Sequence, residues 1–281
     1  MFGIDTPVFV AFGSMALLGV LFGVGLVVAS RVFAVKHDPL VDAVLDALPG
    51  INCGACGYRG CGPYAEAVVA GEAVNRCVPG GDDTAVALAR IMGVEVGQTT
   101  KLRAVCHCQG SRDRCGTRFA YAGEADCRAA HITSGGPKDC EYGCLGFGTC
   151  AEVCPVDAIT MSEGGLPVVD ADACIACGQC VKACPRGLFS LESADHHIHL
   201  GCSARETGRA VKDMCSVGCI ACGLCVRKDP NEAIVMDNNL PVLDYQKAAG
   251  DFSVAADVCP MGCFVVEEGA PVAAAGGQGD E

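Results

Sequence analysis

Cysteines at short, regular intervals are the residues of this chain whose spacing most clearly indicates a chemical role. There are 23 of them in 281 residues, and the most regular runs lie at 150–154, 174–184 and 219–225. A cubane [4Fe-4S] cluster needs four thiolates around one small object, which short Cys-x-x-Cys turns and a more distant cysteine before proline can supply. The spacing therefore predicts bound iron–sulfur clusters and one-electron transfer.

Other uses of cysteine fit this pattern less well. Disulfide frameworks are typical of short secreted chains with little core, whereas this chain is 51% hydrophobic over 281 residues. Zinc sites use two cysteine pairs per ion rather than triplets with a remote fourth ligand. No Cys-x-x-Cys-His haem-attachment motif occurs. The net charge of −13 disfavours nucleic acid as a partner.

An uncharged apolar segment from 7 to 30 is long enough to cross a bilayer at roughly 20 residues per span. A cleaved signal peptide is disfavoured because no basic residue precedes the segment and Asp5 is acidic. Arg31 and Lys36 follow directly, which places the rest of the chain in the cytoplasm by the positive-inside rule. We therefore predict that residues 1–36 form a single-pass anchor in the cytoplasmic (inner) membrane.

Residues 37–98 are predicted to form a small helical [4Fe-4S] domain. Asp38-Pro39 is typical of a helix start, and an apolar face at helical spacing follows it to Leu48. A glycine-rich loop then carries three closely spaced cysteines ahead of a second helical pattern. The predicted ligands are Cys53, Cys56, Cys61 and Cys77.

Residues 137–192 carry two cysteine runs joined by a β-hairpin pattern at 155–161 and 166–170. They predict a bacterial two-cluster ferredoxin module, in which the fourth cysteine of each run ligates the cluster of the other run. This crossing rule gives Cys140, Cys144, Cys150 and Cys184 for one cluster, and Cys154, Cys174, Cys177 and Cys180 for the other. Residues 99–136 are predicted to form a connecting segment.

Residues 193–268 repeat the module in a degenerate form. The run at 174–180 is echoed at 219–225, and the hairpin pattern is echoed at 233–244. One ligand set is replaced by Asp229, Ala249, Phe252 and Ala255, so apolar groups are expected to fill most of the vacated volume. The set that remains is Cys219, Cys222, Cys225 and Cys259. Residues 269–281 have the composition of a disordered tail.

The predicted fold class is therefore α+β: a single transmembrane helix, a small helical [4Fe-4S] domain, and tandem bacterial-type ferredoxin modules. Four complete ligand sets predict four clusters, with about sixteen irons. A fifth cluster built from Cys106, Cys108, Cys115 and Cys127, or from a mixture of these with Cys202 and Cys215, is an open alternative. The cysteines outside the four sets are Cys106, Cys108, Cys115, Cys127, Cys202, Cys215 and Cys263.

The order of these parts resembles the family of Rnf complex B subunits. The resemblance is carried by the N-terminal membrane helix, the C-x2-C-x4-C-x15-C domain, CHCQG at 106–110, YAGEADCRAA at 121–130 and GPKDCEYGCLGFGTC at 136–150. It covers nearly the whole chain up to the tail and extends to the sixteen assigned cysteines.

This resemblance implies an iron–sulfur electron-transfer subunit of a membrane-bound ion-translocating ferredoxin:NAD oxidoreductase, coupled to sodium or protons. It implies soluble ferredoxin as electron donor, and other membrane and flavin-bearing subunits as partners. No Gly-x-Gly-x-x-Gly follows a strand, so NAD chemistry is expected in a partner and no catalytic residue is expected in this chain. The alternatives are the cluster subunit of another membrane oxidoreductase, of hydrogenase or quinone reductase type, and an iron–sulfur redox sensor.

Overall fold

The structure is a computed structural model that describes residues 6–33, 38–96, 101–248 and 251–267. Helix α1, Thr6–Val32, contains the one stretch of the described chain that is long and apolar enough to cross a membrane, Phe9–Val32. None of that stretch is buried against the remaining described residues. Lys36, on which part of the orientation prediction depends, lies outside the described residues.

The small domain is built from α2 (Pro39–Ala47), α3 (Cys61–Val69), a 3-10 turn (Val78–Gly80) and α4 (Gly81–Met92). The helix start predicted at Asp38-Pro39 is confirmed, since the Asp38 side chain accepts the N–H of Leu40 at 2.9 Å and Pro39 opens the helix. The apolar faces of the three helices form one core around Val44, Leu48, Tyr64, Val68 and Leu88. This core supports the loop that carries the cysteines.

The rest of the described chain forms two modules with the same order of elements: strand, helix, hairpin, helix, strand. Each module also has one additional helix between its first strand and its first cluster helix. The first module contains β1 (Leu102–Cys106), α5 (Cys127–Ile132), α6 (Thr149–Glu152), β2 (Ile159–Met161), β3 (Pro167–Val169), α7 (Gln179–Ala183) and β4 (Phe189–Ser193). The second contains β5 (Ile198–Leu200), α8 (Gly208–Met214), α9 (Leu224–Lys228), β6 (Ile234–Asp237), β7 (Leu240–Leu243), α10 (Ser253–Asp257) and β8 (Phe264–Val266).

Antiparallel strand pairs close both modules in the same way. The hairpins pair β2 with β3 and β6 with β7, while the outer strands pair β1 with β4 and β5 with β8. Strand β1 lies in the segment predicted as a connection, yet it pairs along its whole length with β4, from Leu102 opposite Ser193 to Cys106 opposite Phe189. The first module therefore starts at β1 rather than at residue 137.

In the second module, apolar side chains occupy the interior where one cysteine set is missing. Phe252 and Ala255 are each only 2% exposed, and Phe252 packs edge-on against Tyr245, with ring centroids 5.2 Å apart. Ala249, the other apolar residue among the four replaced positions, lies outside the described residues. Close packing of this kind gives the module an apolar core where a cluster would otherwise provide bulk.

Candidate iron–sulfur cluster sites

The first thiol group belongs to the small domain. The loop before α3 turns at Gly54 and Gly57, whose φ angles of 73° and 91° are in the left-handed region that favours glycine. The N–H of Cys61 at the start of α3 donates to Asn52 Oδ1 at 2.9 Å, which fixes the end of the loop on the helix. Burial raises the pKa of the Cys77 thiol, which interacts with the other three predicted ligands. The structure thus brings together Cys53, Cys56, Cys61 and Cys77.

A second group lines a cavity between the hairpin and α7 of the first module. Backbone N–H groups point at the sulfurs: Ala158 donates to Cys154 Sγ at 3.3 Å, and Ala104 donates to Cys174 Sγ at 3.5 Å. Burial raises the pKa of the Cys180 thiol to about 12, so it keeps its proton at neutral pH until iron displaces it. The thiols around this cavity are Cys154, Cys174, Cys177 and Cys180, the set predicted from the sequence.

A third group differs from the set obtained with the crossing rule. Cys144, Cys150 and Cys184 line one cavity as expected, but the fourth thiol there is Cys127. Cys140 lies in a different cavity, so the structure separates it from the three cysteines with which it was grouped. Burial raises the pKa of Cys144 to about 12 and that of Cys150 to about 11.

Cys127 reaches this cavity because the first turn of α5 is tied to the first turn of α6. Asp126 caps α5 by accepting the N–H groups of Arg128 and Ala129 at 2.8 and 2.9 Å. The N–H of Cys127 donates to Thr149 Oγ1 at 2.8 Å, and the Thr149 hydroxyl donates to Asp126 Oδ2 at 3.1 Å. Thr149 is 1% exposed and directly precedes Cys150, so this buried network places Cys127 beside Cys150.

The fourth group lies in the second module. Cys259 and Cys263 are hydrogen-bonded, which lowers the pKa of Cys259 to about 5 and raises that of Cys263. Cys222 is exposed, unlike the other cysteines of the chain. The cavity is lined by the predicted set Cys219, Cys222, Cys225 and Cys259, with Cys263 as an additional thiol.

Five further thiols line a cavity where the two modules meet. Backbone hydrogen bonds join the modules around it, from Gln109 N–H to Gly201 O at 3.0 Å and from Ser216 N–H to Arg114 O at 2.9 Å. The thiols come from both modules: Cys108, Cys115, Cys140, Cys202 and Cys215. The last remaining cysteine, Cys106, ends β1 and interacts with Cys108 and with the group that contains Cys144.

These groups fit iron–sulfur clusters better than single metal ions. Among the described residues, no three Cys, His, Asp or Glu side chains are arranged to hold one metal ion. A cubane is much larger than one ion, so its ligands stand further apart. Backbone N–H groups donate to cysteine sulfurs at 3.2 to 3.5 Å in both modules, which stabilises thiolates and tunes bound clusters.

Two family descriptions match parts of the chain that contain these thiols. Residues 48–79 match the family described as "Putative Fe-S cluster", and residues 139–188 match the "4Fe-4S dicluster domain". The first match spans the four thiols of the small domain. The second spans the hairpin of the first module and excludes Cys127 and the whole second module.

Curated relatives cover most of the chain. It is 43% identical to the B subunit of the Na⁺-translocating ferredoxin:NAD⁺ oxidoreductase complex of Acetobacterium woodii, over 92% of this chain and 77% of that protein. The chain belongs to this family of B subunits. It is also 42% identical to the B subunit of the proton-translocating complex of Clostridium ljungdahlii, over 89% of each chain. Identity to the B subunit of the ion-translocating oxidoreductase complex of Methanosarcina acetivorans is 39%, over 88% of this chain and 94% of that protein.

Membership of the family of Rnf B subunits confirms the resemblance drawn from the sequence. The chain is an iron–sulfur electron-transfer subunit of a translocase complex, and its fold is the predicted α+β arrangement of an N-terminal apolar helix and cluster domains. Cys127 is the functional candidate that the sequence assignment missed. The sequence contains one signal that this run lacks a ligand. Phe147 lies between Cys144 and Cys150, where the second module has Cys222 between Cys219 and Cys225.

Proposed function

We propose that this Rnf B subunit accepts electrons from soluble ferredoxin and passes them through its bound [4Fe-4S] clusters to membrane and flavin-bearing subunits of the same complex. When bound, the clusters supply one-electron redox chemistry at thiolate-ligated iron. The chain's own residues hold the clusters, exclude water from them and set the distances between them. The observation that carries the proposal is that three thiol groups, that of the small domain and the two of the first module, lie next to one another in series.

The first step of the series joins the small domain to the first module. The Gln179 side-chain amide donates to the backbone carbonyl of Cys53 at 3.0 Å. The Cys177 thiol also interacts with Cys53. This contact brings the cluster loop of the small domain against the N-terminal end of α7, where Cys177 and Cys180 lie. Electron transfer falls off steeply with distance, so this contact supports direct exchange between the two sites.

The second step lies within the first module. Cys180, from one thiol group, interacts with Cys150 of the neighbouring group. Helices α6 and α7 carry these two cysteines and pack against each other. We assign this module two clusters: one held by Cys154, Cys174, Cys177 and Cys180, and one held by Cys127, Cys144, Cys150 and Cys184. This assignment replaces Cys140 of the sequence prediction with Cys127.

The two ends of the proposed relay have different surroundings. The small domain follows the membrane helix in the chain, so we assign it to the membrane end, on the cytoplasmic side. The group held by Cys219, Cys222, Cys225 and Cys259 lies in the module furthest from the anchor along the chain, and its Cys222 is exposed. We assign this exposed end to the acceptance of electrons from ferredoxin.

Anaerobic mixing with reduced ferredoxin tests this function. When excess reduced ferredoxin is mixed with the purified full-length chain in detergent, the clusters of the chain should be reduced. The visible iron–sulfur absorbance of the chain should then be lost. The Cys222→Ala variant should be reduced more slowly by ferredoxin but still fully by dithionite. A wild-type chain that dithionite reduces and ferredoxin does not would contradict the proposal.

The alternatives from sequence predict other outcomes. A subunit of a hydrogenase or quinone reductase would exchange electrons with those enzymes rather than with ferredoxin. A redox sensor needs one exposed, labile cluster, whereas several neighbouring thiol groups favour electron conduction. The relatives include both a sodium-translocating and a proton-translocating complex, so family membership does not select the coupling ion.

A further inference from the structure

The cavity between the two modules holds a thiol group that the proposed relay does not use. Of its five thiols, Cys115, Cys140, Cys202 and Cys215 are buried, and Cys108 is half-buried. They come from widely separated sequence positions, and only the docking of one module on the other brings them together. Reduced structural cysteines of this number in one cavity would be an unusual way to fill a core, since packing alone calls for larger apolar groups.

The two modules supply these thiols in a symmetric way. Cys108 lies two residues after the end of β1, and Cys202 lies two residues after the end of β5. The N–H of Cys144 donates to Cys108 Sγ at 3.2 Å, and the N–H of Cys219 donates to Cys202 Sγ at 3.3 Å. Each module therefore presents the sulfur that follows its first strand to a backbone N–H of its own cluster loop.

A second pair of thiols follows the same symmetry. Cys140 lies four residues before Cys144, and Cys215 lies four residues before Cys219. Cys140 interacts with Cys108, and Cys215 interacts with both Cys108 and Cys140. Each module thus contributes one cysteine after its first strand and one before its cluster loop. Cys115 has no counterpart in the second module and is instead hydrogen-bonded to Cys215.

A buried cation adds an independent observation. Lys138 lines the same cavity and is 9% exposed. Its Nζ donates to the carbonyls of Gly110 and Cys144, the latter at 2.9 Å, and none of its partners among the described residues is a carboxylate. A buried ammonium group without an anionic partner is costly. A four-thiolate iron–sulfur cluster carries net negative charge and would be that partner.

We propose that the cavity binds a further [4Fe-4S] cluster, ligated by Cys108 and Cys140 from the first module and by Cys202 and Cys215 from the second. This proposal rests on the cluster-binding role proposed above. The cluster would join the modules physically. It would also link the two thiol groups on either side of it, because Cys108 interacts with Cys144 of one group and Cys202 with Cys219 of the other. The relay then runs without a gap from the exposed Cys222 to the small domain.

Iron and acid-labile sulfide counts on the anaerobically reconstituted full-length chain test this site. The wild-type chain should hold about twenty irons, from five cubanes. Cys202→Ala and Cys140→Ala should each lose about four irons. Cys115→Ala is the matched control, since it removes a thiol of the same cavity that is not a predicted ligand. This variant should keep the wild-type iron count.

Each alternative result is informative. About sixteen irons in the wild-type chain, an unchanged count in Cys202→Ala, or zinc in place of about four irons would overturn the fifth site. A loss of four irons in Cys115→Ala would overturn the ligand set. A count below about twelve would instead contradict the proposed relay, so the two failures are distinguishable.

A second measurement covers variants that fail to fold. Cys202→Ser keeps the size and shape of the side chain, and the EPR spectrum of its reduced form should lack or shift one of five signals. Spectra identical to those of the wild-type chain would contradict the site. The Cys115→Ser spectrum should match the wild-type spectrum.

Discussion

The Asp229 carboxylate accepts the backbone N–H of Ala233 at 2.6 Å, in the position where Cys154 of the first module accepts the N–H of Ala158 at 3.3 Å. Asp229 Oδ2 also accepts the N–H of Ile234 at 2.8 Å. The aspartate therefore keeps the turn that a cluster ligand would otherwise occupy, and it satisfies two backbone donors at the start of β6. This structural role explains the residue without a bound metal.

Replacing Asp229 by Ala should leave the iron content unchanged but destabilise the second module. Two part-buried N–H groups would lose their acceptor, at a cost of about 1 to 2 kcal/mol. Chemical denaturation of the reconstituted protein would measure the loss. Asp229→Asn keeps one acceptor oxygen and should lose less. A loss of four irons in Asp229→Ala would show that the carboxylate is itself a ligand.

Cys127→Ala should remove one cluster from the first module, because Cys127 shares its cavity with Cys150. The double variant Cys127→Ala/Cys150→Ala should then lose about four irons rather than eight, since both changes act on one cluster. Iron analysis of the two single variants and the double variant makes this comparison. Additive loss of about eight irons would contradict the placement of Cys127.

Iron analysis of single and double variants also tests whether Cys140 belongs to the ligand set predicted from the sequence. Cys140 and Cys150 line different cavities, so Cys140→Ala/Cys150→Ala should lose more iron than Cys150→Ala alone if Cys140 ligates a cluster. The crossing rule, applied to the sequence, predicts equal losses in the single and double variants. Equal losses, with Cys140→Ala alone also losing four irons, would restore the sequence-based ligand set.

Phe252→Ala should destabilise the second module strongly. The ring is 2% exposed and packs against Tyr245, so its removal leaves a cavity that costs about 3 to 5 kcal/mol. Val254 lies two residues further along the chain, in α10, and is 37% exposed, so Val254→Ala should cost less than about 1 kcal/mol. Thermal unfolding of the two variants measures the difference. Equal melting temperatures would show that the aromatic ring does not support the module.

Removal of residues 1–37 should yield a soluble brown fragment under anaerobic conditions. None of the proposed ligands lies before Cys53, and no part of the apolar span is buried against the remaining described residues. Visible absorbance and size-exclusion chromatography measure colour and solubility. A colourless or aggregated fragment would contradict the independence of the cluster domains from the anchor.

Much of the fold followed from local pattern, because the relevant signals lie close together in sequence. Asp38 and Pro39 start α2 with a side-chain cap and a fixed φ, and both act within one turn. The hairpin patterns gave β2 with β3 and β6 with β7 for the same reason. Ligands within Cys-x-x-Cys turns are likewise local, so the thiols of the small domain could be grouped without a structure.

The remaining groupings depend on contacts between distant segments. Cys127 lies 17 residues before Cys144, and a buried hydrogen bond to Thr149 brings it to Cys150. The cavity shared by Cys108 and Cys202 exists only because β1 and β5 end at the interface between modules. A crossing rule derived from the ordinary ferredoxin spacing cannot foresee either contact, since the first run departs from that spacing.

Ferredoxin-dependent reduction of NAD⁺ by membranes containing the whole complex tests the central claim most directly, namely that electrons pass through the clusters of this chain. Cys177→Ala removes a ligand where the first module meets the small domain and should abolish this activity. Asp229→Ala should retain it, as a matched control outside the proposed ligands. Wild-type rates of NAD⁺ reduction in Cys177→Ala membranes that lack that cluster would contradict the relay.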